Sequence, residues 1–490
     1  MLTNQHPEWA LAHKKPGTEL RLIRGRYYLY EYRTVYDKEK KGPRKISGKL
    51  LGSITQEEGF VASGKRKLEV EAVQALQAKP VCLEYGVSHM VANVLKPYVE
   101  QLKISFPHHW KILLAIAYCR FVYRCPLKNM PFRLSQSFLP DLISLRHFND
   151  KTASQVLHEV GGMHSQQLAY MKSFLSKGEY LLMDATHVFS NSERITLSHK
   201  GYNSQMNFDP QFNLLYLYSS KTHMPVYYRI LPGNIREVRA FKNCLLEVGL
   251  KKAVIVADKG FYSKKNVDLL REERLRFVLP LKRDNSLIDY SLITNNTFKE
   301  EDQFFNHEGR IIWYQEYTWD RMSLFIYLDE SLRLSEERDY LTRIATHPES
   351  YTLEEYHRKK DSFGTLVLLT NLKDQTGEEV YQTYKSRMSI EVMFDGMKNV
   401  LDADHTYMQD EQTLHGWMFA NHITLQWYQH LYMDLKTNGF LNKYSVNDYI
   451  QLMTDLKKIR INNAWHPNEV TSQTLKMVRK LGIPLEEYNT

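Results

Sequence analysis

The sequence predicts a mixed α/β protein of several domains, and three observations carry that expectation. Two short apolar runs, Gly178-Glu-Tyr-Leu-Leu-Met-Asp184 and Lys252-Ala-Val-Ile-Val-Ala-Asp258, each lead into an aspartate, the form of a strand buried on both faces. Segments with apolar residues at helical steps stand between and after them, from Glu237 to Val248 and from Glu378 onward. Upstream, an alternating β-rich segment (20–52) precedes a helical region. A chain of 490 residues is long enough for two to four such domains.

Composition narrows the classes. With 43% hydrophobic and 25% charged residues the chain is globular rather than disordered. A net charge of +9 favours a polyanionic partner. Cys82, Cys119, Cys125 and Cys244 form no Cys-x-x-Cys pair and have no His at zinc-finger spacing, which points away from a disulfide framework and a structural zinc site and fits a reducing cytosol. The N-terminus lacks a basic-then-apolar leader pattern, and the longest apolar run, around Ile112 to Tyr118, is too short to span a bilayer. The expectation is a soluble, intracellular protein.

Taken in order, residues 1–52 read as a basic β-rich module. From Arg33 to Lys49 seven Lys/Arg stand against two acids, so this is either a solvated turn or a phosphate-contacting β-ribbon. Residues 53–67 mix Gly, Ser and charge without a period and are expected to be a linker. Residues 68–177 form a helical domain, a candidate for DNA binding, with helices near 68–78, 88–103, 109–124 and 152–176; the last, capped by Thr152 or Asp150 and closed by Gly161, reads as plain helical packing rather than half of a helix-turn-helix.

The first part of an α/β core spans 178–281: a strand to Asp184, a meander through Leu214–Ser220 and Pro225–Asn234, a helix, the strand to Asp258, a Ser263-capped helix, and the strand 275–281. A β-rich insertion is expected at 282–363, and the core resumes over 364–405 with the buried strand Thr365–Asn371. Residues 406–490 form a C-terminal helical region with one long helix at 411–437 and a shorter one near 446–460.

Within the second core segment, Tyr384, Arg387, Glu391 and Lys398 are separated by three, four and seven residues, which puts them on one face of a helix, while Ile390, Met393, Phe394 and Met397 form an apolar stripe. Spacing alone is equally that of a surface salt-bridge row. Asp184 and Asp258 change the balance. Were the first and fourth strands adjacent, as in an RNase H-like arrangement, the two aspartates and Glu391 would converge on hard divalent cations, and two such ions serve an in-line phosphodiester displacement. Tyr384, Arg387 and Lys398 would then clamp phosphates beside them.

These residues resemble the bacterial insertion-sequence transposases of the DDE superfamily, in the group marked by Tyr-x2-Arg-x3-Glu-x6-Lys. Tyr384, Arg387, Glu391 and Lys398 match all four signature positions. Leu182-Met-Asp-Ala-Thr-His187 is similar to the family's first acidic motif, Ala257-Asp-Lys-Gly-Phe-Tyr262 to its second, and Pro232-Gly-Asn234 to an element between them. The separations of 74 (184 to 258) and 133 (258 to 391) fit this group, whose second gap holds a β-rich insertion. The likeness covers 178–430 closely and 20–176 loosely.

The resemblance implies an RNase H-like catalytic core and a DNA transposase that binds the ends of its element and cuts and joins DNA. Asp184, Asp258 and Glu391 would be catalytic and would ligate two Mg2+ ions, or Mn2+ in their place. Tyr384, Arg387 and Lys398 would hold phosphates; Lys259, Lys282 and Arg283 would contact the backbone, unless they are ordinary surface charges; and Trp313 or Trp319 would stack on a flipped base, unless the two indoles serve core packing. The implied partners are double-stranded DNA, as terminal inverted repeats and target, and a second copy of the chain in a synaptic homodimer, with no membrane; the implied place is the bacterial cytoplasm, at the nucleoid. A nuclease that cuts without joining and a non-catalytic DNA-binding protein derived from a transposase stay open. His187 reads as a structural histidine or a further ligand, and Asp395 has no assignment.

Overall fold

The computed structural model describes residues 6–37, 41–64, 81–175, 181–200, 209–232, 238–249, 254–257, 261–295, 297–300, 302–373, 375–461 and 463–480. The chain divides into two compact units, residues 1–82 with 458–468, and residues 83–457 with 469–490.

In the first unit, a one-turn helix α1 (Glu8–Leu11) accompanies an antiparallel meander of β1 (Thr18–Ile23), β2 (Arg26–Asp37), β3 (Gly42–Thr55) and β4 (Gly59–Ala62), in that spatial order. Arg24 and Gly25, both at positive φ (49° and 79°), close the two-residue β1–β2 hairpin, as its twist requires. Leu20, Leu29, Leu51, Ile54 and Ala10 make a small core with Trp9, Tyr27 and Phe60 against it. The linker expected at 53–67 is replaced in its first part by sheet: Ser53–Thr55 finish β3, Gly59 turns at φ 68°, and Phe60 pairs with Ile54, because Ile54 and Phe60 have apolar surface to bury. Residues 65–67 and the helix expected at 68–78 lie outside the described residues.

The second unit begins with α2 (Gly86–Asn93), α3 (Lys96–Ser105), α4 (Trp110–Tyr123), α5 (Asp150–Gly162) and α6 (His164–Lys172). Asn149, not Thr152 or Asp150, caps α5, and Thr152 returns the bond in a capping box. A meander follows, β5 (Leu181–Ser190), β6 (Pro210–Ser219) and β7 (Met224–Pro232), with β5 and β7 both antiparallel to the central β6. Next come α7 (Val238–Val248), β8 (Val254–Val256), α8 (Lys264–Glu272) and β9 (Arg276–Pro280), with Ser263 capping α8 as its position predicts.

The segment read as an insertion supplies β10 (Phe304–His307), β11 (Arg310–Trp319), β12 (Met322–Asp329), α9 (Glu330–Thr346) and α10 (Leu353–Lys359) before β13 (Thr365–Thr370). Its strands have no sheet of their own. They extend one six-stranded sheet in the order β8-β9-β13-β12-β11-β10, since the resumed strand β13 lies between β9 and β12. Strand β8 also runs close alongside β5.

The chain then forms α11 (Gly377–Lys385), α12 (Arg387–Asp395), a π-helical turn at Gly396–Val400, the short strand β14 (His405–Thr406) parallel to β5, α13 (Glu411–Thr437) and α14 (Val446–Thr454). The shorter C-terminal helix stops at Thr454; Lys457–Ile461 instead pairs with Ala464–Pro467 in a hairpin turned at Asn463 (φ 64°). Helix α13 packs on α4, α5 and β7, so the two helical regions expected as separate parts of the chain form one layer over the meander. It is buried on nearly every side, and several of its polar groups are paired: Asn421 accepts from Arg120, Gln426 donates to the Pro225 carbonyl and accepts from Tyr170, and Gln429 donates to Tyr218. Among the described residues no helix is long and apolar enough to cross a membrane.

Candidate active site

Asp184 is the fourth residue of β5 and sits opposite Tyr216 of β6. It was expected at a strand tip; the strand instead continues to Ser190, and the buried side chains of Thr186–Ser190 and the pairing with β6 carry it onward. One carboxylate oxygen accepts from the Ala185 amide at 2.9 Å, and the other lies 3.4 Å from Nη2 of Arg387. Arg387 opens α12, and its Nη1 donates to the carboxylate of Glu391, one turn further on. The guanidinium, only 15% exposed, therefore lies between two acids from separate elements, with Glu391 on the open side at 53% exposure. Its Nε is buried and has no hydrogen-bond partner.

Helix α12 is held there by its apolar side. Ile390, Met393 and Phe394 are buried, and Phe394 meets the Tyr216 ring at 5.9 Å. Each such burial contributes about 1.5–3 kcal/mol, which fixes the position of Arg387 and Glu391 over β5. Gly396 is required just beyond, because a Cβ there would come within 2.2 Å of the Tyr428 ring of α13.

The predicted four-residue stripe is divided. Tyr384, half-buried, ends the preceding helix α11, and the helix is interrupted at Ser386 before Arg387. Lys398 falls in the π-helical turn, whose wider winding departs from the regular spacing the stripe assumed. Its titratable neighbours are Asp404 and His187; burial lowers the affinity of its amine for a proton, and Asp404 opposes that effect. His187 projects from the opposite face of β5 to Asp184, packs edge-on to Phe189 at 4.9 Å, and is pushed down to about 4 by burial and then by the Lys398 cation. It is neutral at pH 7. Asp395 accepts from Asn399 at 2.6 Å and has Tyr428 as an electrostatic neighbour.

Asp258 and Lys259 lie outside the described residues; β8 ends two residues before Asp258, and buried Ala257 is described. Lys282 is exposed. Arg283 is committed elsewhere: its guanidinium forks onto Glu336 of α9 at 2.9 and 3.1 Å and donates to the Thr365 carbonyl, tying α9 to the start of β13. A DNA contact by Arg283 would have to compete with that pair. Trp313 is half-buried in β11 against Phe304, with the Lys299 ammonium 5.3 Å over its ring, and Trp319 ends the same strand opposite Met322.

Two residues that motif reading passed over support the site. Arg120 of α4 is buried, stacks over Trp417, and donates to the carbonyls of Leu401 and Asp402, pinning the segment that follows Lys398. Its signal was a single guanidinium within the apolar run that follows Lys111 in this helix. Asp404, six residues after Lys398, faces both Lys398 and His187, with no motif to mark it.

Among the described residues no group of three or more His, Cys, Asp or Glu side chains surrounds one point. The two described acids offer oxygen donors only, drawn together by one cation, and such a set fits a hard divalent ion.

The sequence matches a family model described as Transposase DDE domain over residues 176–427, just over half of the chain. No curated protein matches it. Among solved structures, the cryo-EM structure of a piggyBac transposase synaptic complex with hairpin DNA is similar at 12% sequence identity and a TM-score of 0.37, over 72% of this chain and 70% of that one. A superposition that loose assigns neither fold nor function. The family match spans Asp184, Asp258 and Glu391 together with the Arg387 that joins two of them, and the chain belongs to the transposase DDE domain family.

Proposed function

We propose that this chain is a DNA transposase that binds the ends of its mobile element as a dimer, cleaves them, and joins them to target DNA. The observation that carries the reading is the capture of Arg387 by both Asp184 and Glu391, acids 207 residues apart in sequence, with Asp184 on a strand that runs beside the one preceding Asp258. The meander β5–β7 with β8 alongside β5 is read as an RNase H-like core, with 282–363 inserted into it.

Asp184, Asp258 and Glu391 would hold two divalent cations, Mg2+ or Mn2+. When bound, these supply Lewis-acid activation of the attacking oxygen and neutralise the leaving oxyanion. Arg387 offsets the repulsion between Asp184 and Glu391, and its planar set of N–H donors is suited to non-bridging phosphate oxygens. Tyr384 lies one turn before it, on the DNA side of the same reading. Lys398, kept beside neutral His187 and Asp404, supplies a second cation for the phosphate backbone.

The test is Asp184→Asn, Asp258→Asn and Glu391→Gln, each assayed for Mg2+-dependent cleavage of the element's own ends. Each is expected to lose about a thousandfold in rate, equivalent to about 4 kcal/mol of barrier, while still binding the ends. Cleavage at the wild-type rate by any one of them would remove that residue from the chemistry.

A further inference from the structure

Strands β2 and β3 make a long antiparallel ladder of which only the base is folded against a core. Leu29, Leu51 and Ile54 enter the buried cluster. Beyond the irregular register between Leu29 and Tyr32, the pairs Tyr32/Ser47, Arg33/Ile46, Thr34/Lys45, Val35/Arg44 and Tyr36/Pro43 continue outward. Residues 33–36 and 43–50 are exposed throughout, on both faces, Val35 to 43% and Tyr36 to 65%. A two-stranded ribbon with no core is marginal in water by itself, so aromatic and β-branched side chains displayed on both faces are surface suited to a partner.

The charge on that surface selects the partner. Between residues 31 and 49 the described ribbon carries Arg33, Lys41, Arg44, Lys45 and Lys49 against Glu31 and Asp37, the latter 3.7 Å from Arg44. The Lys45 ammonium lies 4.7 Å over the Tyr32 ring, and the Arg21 guanidinium 4.9 Å over Tyr30. Cations, phenols and the hydroxyls of Thr34 and Ser47 thus run along one ribbon. Its shape also fits: a DNA major groove about 12 Å wide admits two antiparallel strands, and the paired positions from Tyr32 to Asp37, at about 3.3 Å each, cover roughly half a duplex turn.

We propose that the β2–β3 ribbon is a duplex-DNA contact that lies in the major groove, with Arg33, Arg44 and Lys45 on phosphates and Tyr32 and Tyr36 toward the bases. The identity of the polyanion rests on the transposase reading; the ribbon itself does not involve Asp184, Asp258 or Glu391.

The test is binding of the full chain to a fluorescein-labelled duplex of random sequence, by fluorescence anisotropy over a series of KCl concentrations. Combined Arg33→Ala, Arg44→Ala and Lys45→Ala should weaken binding at least about tenfold and reduce the slope of log K against log salt by up to about 2.7, since each neutralised phosphate contributes about 0.9. Arg33→Lys, Arg44→Lys and Lys45→Arg together should keep both, which separates lost charge from lost fold. An alanine variant with wild-type affinity and slope overturns the proposal, as does one that changes only the sedimentation of the protein, the mark of a protein interface. A wild-type chain that binds no duplex at all would instead overturn the transposase reading.

Discussion

Arg387 occupies the space between Asp184 and Glu391; on the proposed function a divalent cation would use the same oxygens, so guanidinium and metal would compete as counter-charges. Arg387→Ala is therefore expected to bind Mn2+ more tightly in the absence of DNA, read by electron paramagnetic resonance titration, while cleaving more slowly. Unchanged or weaker Mn2+ binding would leave Arg387 as a phosphate ligand alone. The spacing of Tyr384, Arg387, Glu391 and Lys398 was legible because helical periodicity is local. That Arg387 turns toward Asp184 was not, because the partner lies on a strand far away in sequence. Lys398 left the stripe for a reason equally invisible in spacing: a π-helical turn at a glycine pressed against Tyr428.

Helix α13 shows the same division at the scale of an element. Its extent, Glu411–Thr437, agrees with the 411–437 read from the sequence, since a long apolar period between an Asp410 cap and Asn438-Gly439 leaves little freedom. Its surroundings were not readable. At Gly416 a Cβ would approach the Leu157 carbonyl oxygen of α5 to 1.9 Å, and at Gly161 of α5 one would meet Gln412 at 1.7 Å. Two backbones meet here, and nothing flexible can yield. Gly416→Ala should cost at least about 2 kcal/mol in urea unfolding, by overpacking; a neutral result would mean that the helices can separate freely. His422 lies on the same helix, fully buried between Tyr216 and Tyr228, with both ring nitrogens unpaired and its pKa pushed down to about 3 by burial. The unfolded chain binds that proton near pH 6.5 and the folded chain only near 3, so stability is lost as the pH falls through this window. At pH 4 the loss from this group is about 3 kcal/mol. His422→Leu should flatten the decline of melting temperature between pH 7 and 4; an identical decline would show that other groups set it.

For the molecule as a whole, the distinction between transposase and nuclease is one of product. Ends cut in the presence of a supercoiled target should appear covalently joined to it through their 3′-hydroxyls, as read on a denaturing gel; hydrolysed ends alone would reduce the function to cleavage. The sequence by itself determined the α/β class, the order of most elements, and the residues on which the family resemblance rests, because periodicity, capping residues and motif spacing are properties of neighbours along the chain. Only the tertiary structure decided which of them meet. It drew Arg387 between Asp184 and Glu391, spent Arg283 on Glu336, extended the core sheet with the strands of 282–363, and turned part of an apparent linker into β4. Those outcomes depend on which apolar faces find one another across the fold and on where a guanidinium then finds its nearest carboxylate, and no local pattern encodes that distance.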